Sequence, residues 1–246
     1  MEVMRQAKRK LMNTLKQVRA GIVSQLQYLK KGLFFLYLPI GLLFLIVVVL
    51  SRVIEGVSLA FLLRDVTVTG KLPFFAGFVS QLGAILWSAA LTICLFALVV
   101  LYSRTGNFAA SKRFLLQGSV LTGILLLDDI FLFHEEIAPN YLHLDELIIF
   151  GVYAIVGIGF VLSNRREILS SEYALLILAL VMFAASITLD SVPLESFELR
   201  FFWEQLELLL EDGFKFAGIA TWLMYFVRYA IQRMNGIQQI SDTASP

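Results

Sequence analysis

Carboxylates occur inside apolar stretches of this chain, where they must be either neutralised or put to use. Asp128 and Asp129 stand side by side in Leu-Leu-Leu-Asp-Asp-Ile-Phe-Leu-Phe, which runs on into His134, Glu135 and Glu136. At about 100° per residue, Asp128, Glu135 and Gln117 share one helical face, and His134 points elsewhere. A second stretch places Glu204, Glu207, Glu211, Lys215, Gly218 and Trp222 at steps of three and four, one stripe along a helix, with Asp212 at its edge. Glu211 and Lys215 have the i,i+4 order that favours an intrahelical ion pair. Gln81, Ser88 and Thr92 form a milder stripe, and Ser186 and Asp190 lie one turn apart.

An ionisable side chain in hydrocarbon costs at least about 2.5–3.5 kcal/mol on insertion scales. Asp128, Asp129, Glu211 and Asp212 set four negative charges against the single positive charge of Lys215, so protons, water or a bound cation must balance the remainder. Carboxylates coupled in this way titrate as a group. The first chemistry such a set supports is handling of a cation or proton, in a channel, transporter or ion-binding subunit, with the acids as binding groups and Lys215 as the competing charge. The second is metal-dependent hydrolysis of a lipid inside the membrane. Asp128, Glu135, Glu211 and His134 make an oxygen-rich donor set that suits Mg, Mn or Ca as cofactor, and one carboxylate would activate water; a nucleophile or a fuller His set is missing. The third is a non-catalytic membrane subunit or scaffold whose buried charges pair with neighbouring helices. The single cysteine, Cys94, excludes an intramolecular disulfide and a Cys-cluster metal site.

The elements that must position these residues are membrane helices. Of 246 residues, 59% are hydrophobic and 16% charged, displaced on both axes from an ordinary soluble domain, and the mean hydropathy is +0.80. The apolar residues gather in six segments, 33–54, 74–102, 114–138, 145–163, 172–190 and 203–228, each about the length a helix needs to cross hydrocarbon. The fold expected is all-α: a six-helix transmembrane domain over 32–231, preceded by a basic amphipathic helix at 1–31 and followed by a short polar tail at 232–246, frayed from Asn235 on. Residues 1–31 carry Arg5, Lys8, Arg9, Lys10, Lys16, Arg19, Lys30 and Lys31 among spaced apolar residues, a pattern suited to anionic lipid and unlike a cleavable signal. The other basic clusters are Arg104, Lys112 and Arg113, then Arg165 and Arg166, then Arg228 and Arg233, whereas the alternate connections are acidic. The positive-inside rule then puts both termini in the cytoplasm.

Depth brings the two acidic helices together. Asp128 lies roughly 22 Å beyond Arg113 along its helix, and Glu211 roughly 25 Å before Arg228. The simplest arrangement is a polar chamber between the third and sixth spans, opening toward the acidic face, with Gln117, Glu135, Glu207, Asp190 and Gln81 as supporting polar groups. No phosphate loop, nucleophile elbow or fixed-period repeat is present, and composition argues against nucleic acid as a partner. Lipid, a second copy of the chain or another membrane subunit remain as partners.

The segment Asp128-Asp129-x4-His134-Glu135, with Glu211-Asp212-Gly-Phe-Lys215-Phe-Ala-Gly218, resembles a pattern in uncharacterised bacterial multi-span membrane proteins, cyanobacterial ones among them. The resemblance implies a bacterial inner-membrane or thylakoid location and a joint role for the two helices; it implies no reaction. Alkaline-ceramidase-type hydrolases are similar in placing Asp and His near one membrane face, but need three zinc-binding His where this chain has two. Microbial rhodopsins carry a last-span Lys one turn after an Asp, but on seven spans.

Overall fold

The computed structural model describes residues 6, 10, 12, 13, 16, 27, 30, 34, 37–54, 56–64, 66–104, 106–191 and 200–243, without the side chains of 191, 200–205, 207 and 236–243. Among the described residues there are helices and no strands. The basic amphipathic helix expected over 1–31 lies for the most part outside them. The chain divides into two compact units, Met1–Ala76 and Gly77–Pro246.

The first unit contains the apolar helix α1 (Tyr37–Val53) and two short helices, α2 (Leu59–Leu63) and α3 (Val66–Thr69). Ser58 starts α2 by accepting the Phe61 N–H on its Oγ at 3.1 Å, which satisfies one of the orphan donors of a helix start.

The second unit is built from α4 (Phe78–Tyr102), α5 (Ala109–Phe131), a π-helical turn (Phe133–Ile137), α6 (Ala138–Tyr141), α7 (Glu146–Ser163), α8 (Arg165–Leu169), α9 (Tyr173–Ser191) and α10 (Arg200–Thr243). Asp145 caps α7 by accepting the Leu147 N–H at 2.8 Å. Four helices, α4, α5, α7 and α9, are long and apolar enough to cross a membrane. At 1.5 Å per residue their 18 to 25 residues span about 27–38 Å, against about 30 Å of hydrocarbon. α1 is apolar but shorter, and α10 interrupts its apolar surface with Glu211, Asp212, Lys215 and Arg228.

Two expected boundaries differ. The segment 114–138 is not one helix: α5 stops at Phe131 because Leu132 turns left-handed, with φ 51° and ψ 46°, and the chain re-forms as the π turn. Past residue 231, where the short polar tail is expected to begin, α10 continues as far as Thr243.

α4 packs on α5 and α10, and α9 packs along α10, whereas α7 touches α5 only lightly. The core between α4, α5, α9 and α10, joined by Phe160 of α7, is aromatic. Phe114 is fully buried and meets the rings of Phe160, Phe226 and Tyr229 at centroid distances of 5.3, 5.8 and 4.5 Å, contacts each worth about 0.5–1.5 kcal/mol beyond area burial. Gly218 brings α10 close to α9: a Cβ there would sit 2.7 Å from the Phe183 ring.

Candidate functional site

Six elements of the second unit line a cavity of about 980 Å³, α4 through Trp87. α5 contributes Asp128 and Asp129, the π turn His134 and Glu135, α7 Glu146 and Tyr153, α9 Ser186 and Asp190, and α10 Glu211, Asp212 and Lys215. Its lining therefore holds seven carboxylates against one lysine and one histidine. Glu146 opens α7, Asp190 stands near the end of α9 and Glu211 precedes Trp222 by eleven residues on α10, so the acids collect at one end of the cavity. Trp87, Leu121, Leu125 and Trp222 line the deeper part.

Asp128 is held by three donors. Its Oδ1 accepts the Tyr153 hydroxyl at 2.8 Å and the His134 backbone N–H at 3.1 Å, and its Oδ2 faces His134 Nδ1 at 2.6 Å. The left-handed Leu132 and the π turn produce this closure, because they fold His134 back toward the helix that carries Asp128. The ring stands 5.0 Å from Phe150 and is buried. With Nδ1–H directed at a carboxylate, Nε2 faces the acidic end, 3.4 Å from Glu135 Oε1 and 3.8 Å from Glu146 Oε1. The expected direction of His134, away from Asp128, is thus overturned: a break in the helix resets the 100° count.

Asp129 has a separate partner. Lys215 Nζ lies 2.8 Å from its Oδ1 and 3.9 Å from Glu135. The described ion pair of Lys215 crosses between helices rather than running one turn back to Glu211, because α10 packs beside α4 and turns this face toward the end of α5. Gly83 of α4 packs beside this pair: a Cβ there would make ordinary contact with Asp129 Oδ2 at 3.7 Å and a tighter one, 3.3 Å, with the Ile219 side chain.

Glu211, Asp212, Glu135 and Asp190 line the same cavity as Asp128 and Asp129. Gln117 does not; its Oε1 accepts from Asn164 Nδ2 near the other end of α5 and α7. Gln81 is exposed on α4 and outside the lining. The side chains of Glu204 and Glu207 lie outside the described residues. Among the described residues, no group of three or more His, Cys, Asp or Glu is arranged to hold a metal ion; of the expected set Asp128, Glu135, His134 and Glu211, Asp128 and His134 are bonded to each other, while His134 Nε2 faces Glu135. Tyr153 was not anticipated. Its spacing of seven from Glu146 puts both on one face of α7, and that was the available signal.

A family model described as "Domain of unknown function (DUF8692)" matches residues 38–229. The chain belongs to this family. The match covers all of α4 to α9 and the part of α10 that lines the cavity, so the acidic end of this DUF8692 chain lies wholly within the family's domain. No curated protein and no solved structure matches the chain.

Proposed function

We propose that the protein is a polytopic membrane protein that takes up and releases a proton, or a small cation in its place, in the cavity bounded by α5, α7, α9 and α10. The observation that carries this reading is the charge imbalance, seven carboxylates against Lys215 and His134 in one cavity. In a low-dielectric setting so many acids are not ionised together, and the deficit is met by protons or a cation. The three donors fix Asp128, and Lys215 neutralises Asp129. The groups left to exchange a proton are His134 Nε2 and the acids around it.

In this reading α1, α4, α5, α7, α9 and α10 are the six spans, both termini are cytoplasmic and the membrane is bacterial. The basic clusters support that orientation. Asp128→Asn should sharply reduce flux in vesicles containing the purified protein while leaving it folded, since the amide keeps the shape and loses the charge. Lys215→Met should slow release and alter the pH dependence, because it removes the competing ammonium. Wild-type vesicles that bind no protons and pass no H⁺, Na⁺, K⁺ or divalent cation would overturn the proposal.

A further inference from the structure

The cavity is much larger than a proton or a small ion requires. Its volume of about 980 Å³ equals that of roughly 30 water molecules. Its shape follows from α7, which presents Glu146, Phe150, Tyr153, Gly157, Val161 and Leu162 along one side. From Glu146 to Leu162 that side runs about 24 Å at 1.5 Å per residue. The facing wall is α9, with Leu180, Phe183, Ala184 and Ile187 leading to Asp190. These two walls do not pack closely on each other, so a slot separates them.

The slot is open along its side. Ile158 and Leu162 line it, yet they are 59% and 64% exposed. Gly157 leaves its middle clear, since a Cβ added there would meet nothing within 4 Å. Polarity changes in one direction only: the carboxylates stand at the Glu146–Asp190 end, and the α7 residues that line the slot after Tyr153 are apolar. A slot with an anionic end, an apolar length and a side opening complements a molecule with a cationic head and a hydrocarbon tail. The Phe150 and Phe183 rings on the two walls add apolar contact for the methylenes next to the head.

We infer that the slot between α7 and α9 binds a single-chain alkylammonium amphiphile from the bilayer, its head among Glu146, Asp190 and Glu211 and its chain directed toward Leu162. The inference rests on the same charge imbalance as the proton reading, but it requires no proton movement. Two of the three tryptophans, Trp87 and Trp222, line the cavity, so a Trp203→Phe background makes indole fluorescence report on it.

The probe is a terminally brominated alkylamine, added to the full chain in neutral lipid nanodiscs, with the alcohol and the alkyl sulfate of equal length as controls. The amine should quench at a concentration about tenfold below the alcohol, a difference of about 1.4 kcal/mol, and the sulfate should be weaker still. Glu146→Gln with Asp190→Asn should bring amine and alcohol within about threefold, as expected when the charge term is removed. Gly157→Phe should fill the slot and weaken quenching by the amine at least about tenfold; Ala184→Phe, on the opposite wall, serves if that variant does not fold. Equal quenching by all three probes, or quenching unaffected by both blocking variants, overturns the inference. Proton uptake by Gly157→Phe separates the two proposals, because no carboxylate is altered. Retained uptake with lost amine preference in that variant agrees with both proposals; in the wild type, uptake without any preference for the amine removes only the amphiphile, and amine preference without uptake removes only the proton.

Discussion

The two ends of the Gly77–Pro246 unit treat charge in opposite ways. At the end formed by α8, the start of α9 and the later part of α10, each described acid has an arginine partner, Glu167 with Arg233 and Glu172 with Arg228. Glu167 accepts from Ser111 Oγ at 3.1 Å, Tyr229 at 2.6 Å and Arg233 Nη2 at 2.7 Å. Arg233 also donates to Ser170 Oγ at 2.8 Å and lies over the Tyr229 ring. Glu172 accepts from Arg228 Nε at 2.8 Å, from Arg228 Nη2, and from Gln232 at 3.1 Å. This end ties α10 to α5, α8 and α9, and both of its described acids are paired. At the opposite end the acids outnumber their partners within an open cavity. Matched charges hold helices in register; unmatched charges beside a void leave capacity for something positive that comes and goes.

That contrast can be broken by substitution. Glu167→Ala should have the largest effect, about 3 kcal/mol of stability, because it strands a half-buried arginine and removes three hydrogen bonds at once. The loss should appear as a lower unfolding midpoint in detergent, nearly independent of pH, with proton uptake intact; a loss below about 1 kcal/mol would show that this end is not a structural tie. Lys215→Met should remove about 2 kcal/mol at neutral pH, since it leaves the buried Asp129 without its ammonium. Unlike the first loss, this one should shrink as pH falls, because a proton from the open cavity can neutralise the carboxylate. A pH-independent loss would mean that the acidic end is as closed as the other.

Tyr153→Phe takes one of three donors from Asp128, for about 1.5 kcal/mol, and should shift the pH profile of proton uptake, which a purely structural hydroxyl would leave in place. Glu172→Gln should change least, because its pair with Arg228 is solvent-exposed and surface pairs contribute little. The hydrogen bond from Arg228 holds the Glu172 carboxyl below its ordinary value. Its small contribution is therefore full above the ordinary carboxylate range and lost as pH falls through the lowered value. The glutamine variant should lack that acid limb when unfolding midpoints are compared between neutral and acidic pH.

Much of the scaffold was legible in the sequence. The apolar runs 145–163 and 172–190 lie within about one residue of α7 and α9, because membrane-length segments bounded by charged or capping residues leave little choice of boundary. The break after Phe131 carried no such signal: neither glycine nor proline stands between Gly123 and Pro139. Burial of His134 against Asp128 outweighs a local preference for continuing the helix. Gln117 shows the limit of helical periodicity. Eleven residues return to the same face as Asp128, but about 16 Å along the axis, and Gln117 meets Asn164 instead. The partner of Lys215 was likewise set by helix packing, which no i,i+4 rule contains.

Leu132 has no ionisable group and lies 40% exposed, yet its left-handed backbone, a conformation that costs an ordinary residue about 1–2 kcal/mol, turns the chain so that His134 reaches Asp128. An isoleucine there would match it in size and hydropathy but tolerate that conformation poorly, because branching at Cβ crowds it further. The acidic site can accordingly disappear from a lineage through an apolar exchange that leaves every charged residue in place. A tally of retained acids and histidines would still score such a descendant as intact.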